Sequence, residues 1–183
     1  MAIAAILLGF QSTMFMACGS RTEGAKTDVD TTLYETTGET EVERDEVFEL
    51  PTEEIDFGGR HYVVRVRRAP SDSLPKVKDS YGDPYLDNEV FVTVTADGST
   101  IVKRSITKAD FAGVAAGLEL SKLVLGGMTF SGINSSGLHF CAQINSPGSV
   151  EGGNNFILTF PLSGSGLQIV ADESGDDMSS NDD

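Results

Sequence analysis

The dipeptide Asp97-Gly98, set between two runs of alternating residues, restricts this chain more than any other feature. Asp-Gly adopts the left-handed backbone of a two-residue hairpin at little cost, and the twist of that turn suits two paired strands. Before it, Asn88–Ala96 alternates, with Val90, Val92 and Val94 on one face and Phe91, Thr93 and Thr95 on the other; after it, Thr100–Ile106 reads as the partner strand. Further strands are read at Arg60–Arg67, Met128–Ile133, Leu138–Ile144, Asn155–Pro161 and Leu167–Ala171. Asn134–Gly137, Asn145–Gly153 and Ser163–Gly166 supply turns, and Gly126-Gly127 is read as a break. Strands joined by such short turns pair antiparallel, because a parallel crossover needs a dozen or more residues.

One helix is expected. Thr107 is a candidate N-cap with Asp110 at the capping-box position, and Phe111, Val114, Ala115 and Leu118 fall on one helical face. The fold class is therefore mainly β (α+β): an antiparallel meander, curled sheet or small barrel or sandwich of about seven strands with one short helix. Val64, Val92, Val94, Phe111, Leu118, Phe130, Phe140, Phe156 and Leu158 are the expected core.

Charge divides the chain of 183 residues. The formal charge of -15 is spread as -10 over 19–58, +1 over 59–171 and -6 over 172–183. Acidic flanks poor in large apolar residues bury too little surface to offset the entropy of ordering, so they read as a tether and a tail. The nearly neutral middle is one domain. No basic stripe exists to neutralise phosphates, which argues against nucleic acid as a partner. At the front, Ala2–Phe10 is an apolar run of signal-peptide length, shorter than the roughly 20 residues of a membrane-spanning helix. The expected division is a signal peptide over 1–17, Cys18 and an acidic tether over 18–46, a β-rich domain over 47–173, and an acidic tail over 174–183.

Phe15-Met16-Ala17-Cys18-Gly19-Ser20 resembles the lipobox of bacterial lipoproteins. That resemblance implies cleavage before Cys18, lipidation of Cys18 with palmitate-type chains, and residence in the cell envelope, on the periplasmic or surface face of the outer membrane. Each buried methylene of such chains adds roughly 0.8 kcal/mol to membrane attachment. Three further stretches, Tyr85–Val94, Asp97-Gly98 and Ile106–Phe111, resemble a family of small lipoproteins from gut Bacteroidales labelled domain of unknown function 4738. The resemblance implies a location and an architecture, with no catalytic residue to carry over.

Candidate sites are few. His139 and Cys141 lie two apart on one strand and so share a face, as a thiol nucleophile and its base would, or as half a metal site. The competing reading is a small buried cysteine. Asp79, Asp83, Asp87 and Asn88 could offer oxygens to calcium, but such residues also favour turns through local hydrogen bonds. Arg65, Arg67, Arg68, Lys76 and Lys78 could dock the acidic tether, an anionic glycan or a lipid headgroup, or form a solvated strand face. Tyr62, Tyr81 and Tyr85 could line a carbohydrate-stacking surface. No metal or cofactor is expected. The sequence favours a membrane-anchored, non-catalytic binding or assembly module, with an envelope protein or glycan as partner. The alternative is a thiol-dependent or other hydrolase using Cys141 and His139.

Overall fold

The structure, a computed structural model, describes residues 42–149, 152–164 and 166–173. The expected signal peptide 1–17, Cys18, the tether up to residue 41 and the tail 174–183 lie outside the described residues. Eleven strands are present among those described: β1 (Phe48–Glu49), β2 (Glu53–Phe57), β3 (Arg60–Pro70), β4 (Val77–Lys78), β5 (Pro84–Tyr85), β6 (Asn88–Ala96), β7 (Ser99–Ile106), β8 (Val124–Ile133), β9 (Leu138–Asn145), β10 (Asn154–Phe160) and β11 (Gln168–Ala171). Seven of them are the strands expected from alternation. The other four, β1, β2, β4 and β5, are too short or too exposed to show a period.

In the first sheet β1 and β2 both pair with β3, and the order continues to β6 and β7; the second sheet is the meander β8-β9-β10-β11. All these pairings are antiparallel. The β6–β7 turn is the expected one. Asp97 and Gly98 both have positive φ, 51° and 77°. Asp97 also accepts the Arg60 Nε hydrogen at 2.8 Å and the His61 amide at 2.9 Å, which tie the turn to the start of β3. The Arg60 hydrogen bond, followed by the His61 amide, holds the Asp97 carboxyl below its ordinary range.

The two sheets share one core and do not close into a barrel. Val64, Val66, Val90, Val92 and Val94 supply the first sheet's inner face. Leu138, Phe140, Ile144, Phe156 and Leu158 supply the second's. Phe111 meets Phe156 edge-on at 5.0 Å, and Phe140 meets Phe130 and Phe160 at 5.2 and 5.5 Å. Burying each such ring contributes about 1.5–3 kcal/mol. Of the expected core residues, Leu118 and Phe130 are only partly buried and pack at its margin.

Three expectations need correction. The helix after Thr107 is instead a 3-10 turn, Lys108–Phe111, followed by further turns and a second 3-10 turn, Leu120–Lys122. Its capping box forms as expected, with the Thr107 amide donating to Asp110 Oδ2 at 2.9 Å. Gly117, at φ 83°, stops any continuation. Second, Gly126-Gly127 is no break: β8 runs through both glycines with a register shift there. Gly126 is required because a Cβ on it would stand 2.7 Å from Asn145 Nδ2. Third, the end of the expected tether belongs to the domain. Glu43 bridges Tyr85, the Leu86 amide donates to the Glu43 carbonyl at 2.8 Å, and Asp45 is held by side chains of β5 and β6.

Candidate functional site

Along the outer side of β8, the last strand of the second sheet, side chains do the work of a missing neighbour strand. On one side Leu125 pairs with Ile144 of β9. On the other, its amide donates to Asp87 Oδ1 at 3.0 Å and its carbonyl accepts from Asn88 Nδ2 at 2.9 Å. The Leu123 carbonyl accepts from Lys108 Nζ at 2.7 Å, and the Gly126 carbonyl accepts from Arg68 Nη1. The charges are balanced within the corner. Lys108 Nζ stands 3.1 Å from Asp87 Oδ2, with the Asp87 side chain 1% exposed. Asp45 Oδ1 accepts from the Tyr85 hydroxyl and Oδ2 from Asn88 Nδ2, both at 2.5 Å. Burial first, then the Asp45 hydrogen bond, raise the Tyr85 phenol above its ordinary value, so it stays a donor.

Arg68 is the one cation of the expected basic group that turns inward. Arg65 and Arg67 lie on the exposed face of β3, Arg67 stacking over Phe91 at 5.8 Å. Arg68 instead lines a cleft of about 350 Å³ beside the β8 bulge. Leu50, Val66 and Met128 are among its apolar lining, and Thr129, Cys141 and Gln143 among its polar lining. A smaller hollow of about 150 Å³ adjoins it along Leu50, Val66 and Thr129.

The remaining candidates fall into different surroundings. Cys141 is exposed, which overturns the reading of a buried cysteine. It lines a hollow of about 360 Å³ together with His139, but His139 Nδ1 pairs with Thr159 Oγ1 at 3.1 Å and Nε2 with Ser136 Oγ at 3.2 Å, so both ring nitrogens are engaged by hydroxyls. Asp79 forms a turn, accepting the Tyr81 and Asp83 amides at 2.9 and 2.8 Å, while Asp87 and Asn88 are buried in the corner. No group of three or more metal-type ligands occurs among the described residues. The three tyrosines do not share a surface either: Tyr62 and Tyr85 are buried and Tyr81 is exposed.

Arg68 could have been found from the sequence, because strict alternation puts it on the same face as Val64 and Val66. Nothing in the acidic run before Val47 distinguishes Asp45 from its neighbours.

Fold and site together define a small β domain of two main sheets and the two-stranded pair β4-β5, with a side-chain-sealed corner beside a partly apolar cleft. The chain belongs to the family described as Domain of unknown function (DUF4738), which it matches over residues 28–159. No curated protein matches the chain. Two of the three stretches that carry the family resemblance meet in the corner: Asp87 and Asn88, at the start of β6, hold Leu125, and Lys108, just after β7, pairs with Asp87.

Proposed function

We propose that this protein is a non-catalytic binding module of the bacterial cell envelope, held at a membrane by lipid on Cys18 and presenting the cleft beside β8 to a ligand or partner. The observation that carries the binding role is the cleft itself, lined by apolar side chains with Arg68 as its charged residue. Such mixed linings suit small-molecule sites, whose volumes start at about 300 Å³. Support for the anchor comes from the lipobox-like residues around Cys18 and the acidic stretch that follows. Metabolic labelling with a clickable palmitate, compared between the parent and Cys18→Ser, tests the anchor. Loss of label and release from membranes in the variant is the expected outcome; equal labelling would rule out Cys18. Affinity capture from intact cells tests the binding role, and recovery of the protein alone counts against it.

The hydrolase alternative draws its support from the exposed thiol at the cleft rim. Engagement of both His139 nitrogens by hydroxyls weighs against it, since a thiol nucleophile needs a free base. Ester hydrolysis lost in Cys141→Ser would restore that reading.

A further inference from the structure

We infer that the cleft beside β8 selects a small ligand made of an apolar body ending in a carboxylate, with Arg68 as the residue that reads the carboxylate. The inference rests on the binding role proposed above. Three observations on the page point to this chemistry. First, much of the lining is hydrocarbon: Phe48, itself exposed, with Leu50, Val66 and Met128, favours an acyl or aliphatic body over a polar one.

Second, Arg68 is the charged residue of the lining, and it is held in place before any ligand arrives. Nη1 donates to the Gly126 carbonyl and Nη2 to the Glu46 carbonyl at 3.3 Å. A guanidinium carries five N–H donors in a fixed fork. Two are used in these bonds, and the Nε hydrogen is sealed from solvent without a partner. The remaining Nη hydrogens are unspent.

Third, the nearest acid does not consume them. Asp45 lies 3.7 Å from Nη1, beyond hydrogen-bond length, and its two oxygens are taken by Tyr85 and Asn88. The cation is thus balanced at long range and still has hydrogens to give. A carboxylate suits a guanidinium fork better than a hydroxyl does, and an ammonium would be repelled. The amide side chains of Gln143 and Asn155 on the rim offer hydrogen bonds to a peptide group, so the acid could end a lipid-derived chain or an apolar peptide.

Cys141 gives a reporter located at the site. With Cys18→Ser in the otherwise full chain, Cys141 is the sole thiol, and its alkylation rate reads cleft occupancy. The probes are octanoate, octanol, octylamine and N-acetyl-leucyl-leucine. At about ten times its Kd a ligand leaves roughly a tenth of the sites free, so alkylation slows about tenfold. The expected order has either acid protecting well, octanol weakly and octylamine not at all. Stronger protection by octanoate assigns a lipid-derived acid, and stronger protection by the dipeptide assigns a peptide terminus. Equal protection by octanoate and octanol leaves the cleft as a binding site and overturns the carboxylate assignment. No protection by any probe overturns both. Two variants place the effect. Gly127→Leu plugs the cleft, since a Cβ there meets nothing within 4 Å, and protection should vanish; protection that persists puts the ligand elsewhere and overturns the inference. Arg68→Gln should erase the difference between octanoate and octanol; should that variant fail to fold, the probe series on the parent chain decides.

Discussion

Lys108→Met isolates the ion pair that closes the corner. In the parent, Lys108 Nζ sits 3.1 Å from Asp87 Oδ2 and 2.7 Å from the Leu123 carbonyl, and the two side chains are 13% and 1% exposed. Methionine keeps most of the length and removes the charge. Removing one member of a buried pair costs about 3–5 kcal/mol, because the other charge is left desolvated. Here Asp87 keeps the Asn88 and Leu125 amides, at 2.8 and 3.0 Å, which offset part of that loss. The expected cost is therefore at the lower end, about 3 kcal/mol. With a urea m-value of about 2 kcal/mol/M, the midpoint should fall by about 1.5 M. Equilibrium urea unfolding at neutral pH, followed by far-ultraviolet circular dichroism, measures it. Adding Asp87→Asn removes the stranded charge and should recover about 1–2 kcal/mol of the loss. Arg60→Met is the exposed control: its pair with Asp97 is about half solvent-accessible at both ends and screened by water, so the urea midpoint should barely move. A loss below about 1 kcal/mol for Lys108→Met, or a double variant as unstable as the sum of its parts, would refute the reasoning.

Gly126→Ala drives a methyl to 2.7 Å from Asn145 Nδ2 and should cost about 1–3 kcal/mol in thermal unfolding, partly regained with Asn145→Ala. Phe140→Ala empties the ring that contacts both Phe130 and Phe160 and should cost about 3–5 kcal/mol by the same measurement. His61 titrates above its ordinary value of 6.5, first because Asp56 accepts its ring hydrogen at 2.9 Å. Its stabilising contribution is therefore fully present below pH 6.5 and is lost as pH rises through the folded-state value. Following the ring resonances by nuclear magnetic resonance should show that raised midpoint, and Asp56→Asn should lower it; no change in the variant would remove Asp56 as the cause.

How far the fold could be read from the sequence depends on which interactions are local. The β6–Asp97-Gly98–β7 hairpin was legible because period-two alternation and a left-handed turn are both written in consecutive residues. The mainly β class followed from short turns. The helix was misread because Phe111 and Ala115 do face the core at helical spacing, yet a 3-10 turn and Gly117 achieve the same burial with fewer residues. The Gly126-Gly127 pair looked like punctuation, since the side chain it makes room for, Asn145, lies on the neighbouring strand. Asp87 and Asn88 were visible as residues but not as a brace, because their acceptor and donor at Leu125 lie far along the chain. The same distance hid Asp45, whose partners are Tyr85 and Asn88. For the site, the rim residue Cys141 was singled out for a thiol chemistry that His139 does not serve.

The segment through Asp45 also decides how the domain meets mechanical load from its N-terminal side. A pull on residue 42 reaches the Glu43–Tyr85 bridge first, then the Asp45 hydrogen bonds, then the two-residue pairing of β1 with β3. These contacts are engaged one after another, whereas the nine-pair ladder between β3 and β6 lies behind them and carries none of the early force. Peeling therefore begins at the strap while the aromatic core stays intact. As Asp45 leaves, Arg68 loses its nearest counter-charge, and the potential in the cleft it lines becomes more positive. Tension on the chain and the charge of the cleft are in this way coupled through a single carboxylate.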